Sequence, residues 1–131
     1  MKVLIAEDDF ASRKFMLRFL SNHGECDVTV DGEEAVAAFT MALDDGEPYD
    51  LVCLDIMMPV MDGYEALKKM RAIEKERGIS DDNAVKIIMT TALNEGRNVM
   101  KAFELGCVAY AGKPIDQGKF EKIMKKLELI D

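Results

Sequence analysis

Histidine is nearly absent: His23 is the only one in 131 residues, which excludes a histidine-rich metal centre and argues against imidazole catalysis. It stands before Gly24, where a helix end is expected. Cysteine is scarce as well. Cys26, Cys53 and Cys107 are odd in number, widely spaced and outside any CxxC pattern, so neither a disulfide framework nor a zinc site is indicated. Buried or incidental thiols are the simpler account. Long apolar runs are missing too. The longest stretch without a charged residue, Ala35 to Leu43, is far short of the roughly 20 residues of a membrane span. The start carries no signal-peptide pattern, so a cytoplasmic location is expected.

Positive charge is in deficit, with 17 basic against 25 acidic residues and a net charge of −8. Such a surface repels phosphate backbones and anionic lipid, which argues against nucleic acid and membrane as direct partners. No Pro/Gly/Ser linker, internal repeat or low-complexity segment interrupts the chain, so residues 1–131 are expected to form one domain. With 49% apolar and 32% charged residues, that domain can bury a substantial core.

Short apolar runs alternate with longer amphipathic stretches in a βα pattern repeated five times. The expected strands are Lys2 to Ala6, Cys26 to Val30, Leu51 to Asp55, Val85 to Thr90 and Ala109 to Gly112. The expected helices run from about Phe10 to His23, from Asp31 to about Asp45, and from the Pro59, Asp62, Gly63 turn to about Arg77. Two more run from about Asn94 to Leu105 before Gly106, and from Asp116 to Ile130. Asp31 and Glu34 resemble a capping box. Strands this apolar are covered on both faces, which predicts an α/β fold with a parallel sheet between helix layers. Ligands of such sheets bind beyond the carboxyl ends of the strands.

Reading only those positions gives Glu7-Asp8-Asp9, Asp55, Thr91 and Lys113. Carboxylates converging on one edge repel each other, and a hard divalent cation such as Mg²⁺ relieves that repulsion through oxygen ligands alone. Asp55 then becomes a plausible nucleophile toward a phosphoryl group, with Lys113 and Thr91 completing a cradle for its oxygens. Each residue also has a plainer account. Acidic residues suit a helix N-terminus, Asp55 could cap a turn, Lys113 could lie on the surface and Thr91 could cap a helix. The ten methionines fill core gaps or contact surfaces and are assigned no metal. The charge runs Glu74 to Arg77 and Lys122 to Lys126 read as solvated helix faces.

Four motifs together outweigh the plainer accounts. Glu7-Asp8, the run Leu54-Asp55-Ile56-Met57-Met58-Pro59-Val60-Met61-Asp62-Gly63, Thr91-Ala92 and Lys113-Pro114 make the chain resemble, along essentially its whole length, the receiver domain of two-component response regulators. The resemblance implies a flavodoxin-like sheet of order 2-1-3-4-5 with five helices on both faces. It implies Asp55 as phosphoacceptor, Mg²⁺ held by Glu7, Asp8, Asp55 and the Met57 backbone carbonyl, and phosphoryl contacts from Thr91, Ala92 and Lys113. Asp9 is expected outside the ion's nearest ligands, and the Lys113–Pro114 bond is expected to be cis.

The same resemblance implies Thr91 and Tyr110 as switch residues and a histidine kinase or histidine phosphotransfer protein as donor. It also implies a downstream protein target on the face of the fourth helix, fifth strand and fifth helix, with phosphorylation-dependent dimerisation left open. The protein would be a signalling phosphoacceptor, not an enzyme acting on other molecules. Met57 and Leu93, both apolar, are expected to slow loss of the phosphoryl group, and Ile115 stands where the family often has an aromatic. Two other classes fit less well. A phosphatase of the haloacid dehalogenase type places its nucleophile after the first strand in an Asp-x-Asp pattern, where this chain has Glu7. A flavin or dinucleotide module needs a glycine-rich or hydroxyl-rich loop that is absent there.

Overall fold

β-Branched and other apolar residues dominate the short runs, and with both faces buried they pair as a parallel sheet. The computed structural model describes residues 1–92 and 99–131. Five strands, β1 (Lys2–Ala6), β2 (Glu25–Thr29), β3 (Leu51–Asp55), β4 (Lys86–Ala92) and β5 (Ala109–Lys113), form one sheet of order β2-β1-β3-β4-β5, all pairs parallel. The helices are α1 (Phe10–Leu20), α2 (Gly32–Asp44), α3 (Gly63–Glu76), α4 (Val99–Glu104) and α5 (Gln117–Lys126).

Strand alternation divides the core into two layers. Val3, Ile5, Leu51, Cys53 and Ile88 pack with Met16, Phe19 and Leu20 of α1 and Phe120 and Met124 of α5. Leu4, Val52, Leu54, Ile87 and Met89 pack instead with Phe39 of α2, Leu67 and Met70 of α3 and Ala102 of α4. Four helices start on an aspartate whose carboxylate accepts an otherwise unpaired N–H. Asp9, Asp31, Asp62 and Asp116 accept from Ser12, Glu34, Glu65 and Lys119 at 2.8–2.9 Å. The box at α2 is displaced by one residue, because Glu34 reaches back to the Val30 N–H and not to that of its own cap.

Several boundaries differ from those expected. The first helix stops at Leu20 and not at His23, since Asn22 and His23 bond back only three residues and so close a tighter turn. The last ends at Lys126 and not at Ile130. Glu128 adopts φ 61°, which turns the chain so that Leu129 and Ile130 fold onto the α1/α5 layer. The loop from Gly78 to Ala84 contains a short 3₁₀ turn, Asp81–Asn83. The expected start of the fourth helix at Asn94 lies outside the described residues. No helix among those described is long and apolar enough to cross a membrane.

One buried charge ties α3 to the strand and helix that follow. Glu74, 4% exposed, accepts the Val85 N–H at 2.7 Å and pairs with Arg71 at 2.7 Å, while Arg71 donates twice to the Gly106 carbonyl. Glu74→Ala leaves the Val85 amide without its acceptor and the Arg71 guanidinium without its counter-charge, held only by the Gly106 carbonyl. A loss of about 3 kcal/mol is expected, read as a lower urea midpoint at unchanged slope.

Candidate functional site

Parallel strands bring their carboxyl ends to one edge, and the chemistry-bearing side chains collect there. Glu7 and Asp8 follow β1 directly, Asp55 closes β3, Thr91 and Ala92 end β4, and Lys113 ends β5. Register sets their spacing: Asp55 lies opposite Thr90, and Ala92 opposite Lys113. The Glu7 N–H bonds to the Thr29 carbonyl, which continues the ladder one step past β1 and holds this residue at the sheet edge.

Carboxylate oxygens of Glu7, Asp8 and Asp55 lie within 4.8 Å of one another. Glu7 is 1% and Asp55 3% exposed, whereas Asp8 faces solvent. Lys113 Nζ forms an ion pair with Glu7 Oε1 and lies 3.2 Å from Asp55 Oδ2. Although Glu7 Oε1 touches the ammonium, it accepts no aligned hydrogen bond. Burial, then the hydrogen bond and negative charge of Glu7, push Asp55 up to about 7 against the opposing pull of Lys113. Burial works against charge on Lys113, yet Glu7 and Asp55 together raise it above the usual lysine value.

Three carboxylates thus face one ammonium, an imbalance that a hard divalent cation corrects using the oxygens present. Thr91 Oγ1 is a second buried polar atom with no hydrogen-bond partner among the described residues, on the residue that follows Thr90, the strand partner of Asp55. Asp9 turns away to cap α1, while its N–H donates to Glu7 Oε2 at 3.2 Å. That capping bond from Ser12 is also what lowers the Asp9 carboxyl.

The structure brings Glu7, Asp8, Asp55 and Lys113 together, and register sets Thr91 and Ala92 at the same ends of the strands. The Met57 side chain is 61% exposed on the loop leaving β3. Tyr110 is half-buried one strand away and packs against the α2/α3/α4 layer. The Lys113–Pro114 peptide bond is cis, and Leu93 lies outside the described residues. Sequence reasoning does not single out Arg13, whose guanidinium donates to the Glu7 carbonyl at 3.0 Å and steadies the loop after β1. Its place on the first turn of α1, four residues beyond the last acid, is the available signal. Gly63 reads in the sequence only as a turn residue, yet its missing side chain leaves room for the Asp55 carbonyl.

The response regulator receiver domain family matches residues 3–125. The chemotaxis protein CheY of Treponema pallidum is 33% identical, with 97% of this chain matching 83% of that one. The receiver domain of the Saccharomyces cerevisiae response regulator Ssk1, co-crystallised with the histidine phosphotransfer protein Ypd1, superimposes with a TM-score of 0.82. It is 28% identical, over 99% of this chain and 92% of that one. The CheX–CheY complex of Borrelia burgdorferi, crystallised with BeF3 and Mg²⁺, gives a TM-score of 0.76 at 30% identity over 97% of this chain and 89% of that one. The chain spans only 7%, 55% and 42% of the first three curated relatives it matches. A five-stranded sheet of order 2-1-3-4-5, an acidic edge and a match over nearly the whole chain place it in the family of response regulator receiver domains, the signalling phosphoacceptors of two-component systems.

Proposed function

We propose that this domain accepts a phosphoryl group on Asp55 from a histidine side chain of a kinase or phosphotransfer protein, and signals through the resulting change of surface. The observation that carries the reading is the buried Asp55, 3.2 Å from a lysine ammonium and beside two further carboxylates, with a buried, unpartnered threonine hydroxyl at the end of the neighbouring strand. Glu7, Asp8, Asp55 and the Met57 backbone carbonyl would hold Mg²⁺. When bound, the ion supplies positive charge that offsets the crowded carboxylates and the phosphoryl oxygens.

An Asp55 carboxylate oxygen attacks phosphorus, the P–N bond to the donor imidazole breaks, and its electron pair leaves with that ring. The product is an acyl phosphate on Asp55. Lys113 then exchanges part of its pairing with Asp55 for a phosphoryl oxygen, while Thr91 Oγ1 would donate to a second and the Ala92 N–H to a third. Drawing Thr91 toward the site frees space on the β4/β5 side for Tyr110 to turn inward. That biases the face formed by α4, β5 and α5, where Met100, Phe103 and Val108 are exposed and await a protein target. The relatives support the partner class: one is a hybrid histidine kinase of Dictyostelium discoideum, another a receiver bound to a phosphotransfer protein.

The domain promotes only its own phosphorylation and dephosphorylation in this reading, and residues 1–131 act as one unit in the cytoplasm. Intact mass after incubation with acetyl phosphate tests it. A gain of one phosphoryl group that depends on Mg²⁺ is the expected result; no gain with the ion present would overturn it.

A further inference from the structure

Helix α1 carries a positive charge where its own dipole disfavours one. Arg13 stands in the first turn, near the positive end of the helix, and the turn itself contains no acidic residue. Glu7, Asp8 and Asp9 precede it within six residues, yet among the described residues Arg13 forms no ion pair. Its guanidinium turns to the backbone. Nη1 donates to the Glu7 carbonyl at 3.0 Å and to the Asp8 carbonyl at 3.4 Å, and the guanidinium carbon lies 5.7 Å from the centre of the Phe10 ring.

These bonds tie two successive peptide groups of the loop after β1 to the helix that follows. Glu7 is thereby held on three sides. Its N–H is taken by the Thr29 carbonyl, its carbonyl by Arg13 and its Oε2 by the Asp9 N–H at 3.2 Å, while Asp9 is itself fixed as the cap of α1. Asp8 is exposed, and the contact from Arg13 to its carbonyl restrains the backbone that carries it. Carboxylates crowded with Asp55 repel one another, so a loose loop would let them swing apart. By gripping carbonyls, Arg13 orders both side chains and leaves their carboxylate oxygens to a cation.

We infer that Arg13 is a positioning residue of the cation site: its guanidinium holds the loop after β1 so that the Glu7 and Asp8 carboxylates meet the strict octahedral geometry of Mg²⁺. The inference rests on the Mg²⁺-dependent phosphoacceptor reading and adds to it a residue that works through the backbone of the ligands.

Charge and position pull in opposite directions at residue 13. Removing a positive charge beside carboxylates favours a bound cation, whereas releasing the loop that bears them disfavours it. Calorimetric titration of wild type, Arg13→Met and Arg13→Lys with Mg²⁺ and with Ca²⁺ separates the two. Arg13→Met keeps the aliphatic stem and loses every donor. Its Mg²⁺ dissociation constant is expected to rise about tenfold, the scale of losing a group that orients a metal ligand. Arg13→Lys keeps the charge but only a point donor, and should fall between wild type and Arg13→Met. Ca²⁺ accepts irregular oxygen geometry, so its constant in Arg13→Met should rise by no more than about threefold.

Mg²⁺ binding that is unchanged or tighter in Arg13→Met would overturn the inference, because charge alone predicts tightening. Equal weakening for both ions would overturn it as well, since general loosening of the fold does not distinguish them. Should Arg13→Met not fold, Arg13→Lys decides alone: weaker Mg²⁺ binding with little change for Ca²⁺ supports the positioning role, and wild-type constants overturn it. A wild type that binds no Mg²⁺ would instead sink the reading of the cation site, and the role of Arg13 with it.

Discussion

Asp55→Asn is expected to gain no phosphoryl group under conditions in which the wild type gains one, and to be the more stable protein at pH 8 when Mg²⁺ is absent. The first effect follows from chemistry: an amide oxygen is too weak a nucleophile to displace the donor's leaving group, and the site's other buried carboxylate, Glu7, is paired with Lys113. The second follows from burial. Asp55 sits at about 7 in the folded protein against 3.8 for an ordinary aspartate, because burial and Glu7 both disfavour its charge. Between these values the folded state holds more protons than the unfolded one, so stability is lost as pH rises from about 4 to about 7 and then levels off. The loss is on the order of a few kcal/mol for a shift of this size.

Asparagine cannot ionise and escapes that loss, while Glu7 keeps its contact with Lys113. Urea midpoints in chelator at pH 5 and pH 8 separate the cases: the two proteins should be close at pH 5, and the variant ahead at pH 8. Saturating Mg²⁺ should remove most of the wild type's deficit at pH 8, because an ion bound to the charged carboxylates favours the folded state. A variant no more stable than wild type at pH 8 in chelator would show that Asp55 carries no such cost.

Much of this arrangement is legible in the chain, because periodicity and strand ends report the sheet directly. Asp55 stands out as a carboxylate closing an otherwise apolar run, and Lys113 as a lysine between a strand and a proline. The sheet order is different in kind. Local pattern gives five strands but no neighbours, and only the two acids in β2, Glu25–Thr29, hint that it lies mostly exposed at an edge. Helix ends are misplaced where apolar residues continue past the last helical turn: Leu129 and Ile130 keep the helical period yet reach the core only after Glu128 reverses the chain. The Glu74 clamp is invisible for a related reason. A glutamate inside the run Glu74 to Arg77 looks solvated until the loop before β4 folds over it and places the Val85 amide on its carboxylate. Val60 is the clearest such case, since it adopts φ 69° and a valine in a loop gives no sign of positive φ.

Gly63→Ala is expected to be the most damaging small substitution near the site, lowering stability by about 3 kcal/mol and slowing labelling by acetyl phosphate about 100-fold. Gly63 opens α3 just after its cap Asp62 and donates its N–H to the Ile56 carbonyl at 2.8 Å. A Cβ there would meet the Asp55 carbonyl oxygen at 2.3 Å and the Ile56 Cα at 2.8 Å. Both obstacles are backbone, so no side chain can swing away. Either α3 retreats or the end of β3 is displaced, and the Asp55 carboxylate moves with the strand that bears it. Gly78 provides the control. It adopts φ 71° with nothing within 4 Å of an added Cβ, so alanine there adds backbone strain of roughly 1 kcal/mol far from the reacting atoms. Gly78→Ala should therefore lower the urea midpoint and leave the labelling rate unchanged, whereas Gly63→Ala should lower both. Equal labelling rates in the two variants would mean that the close approach of α3 to β3 serves stability alone and does not position the phosphoacceptor.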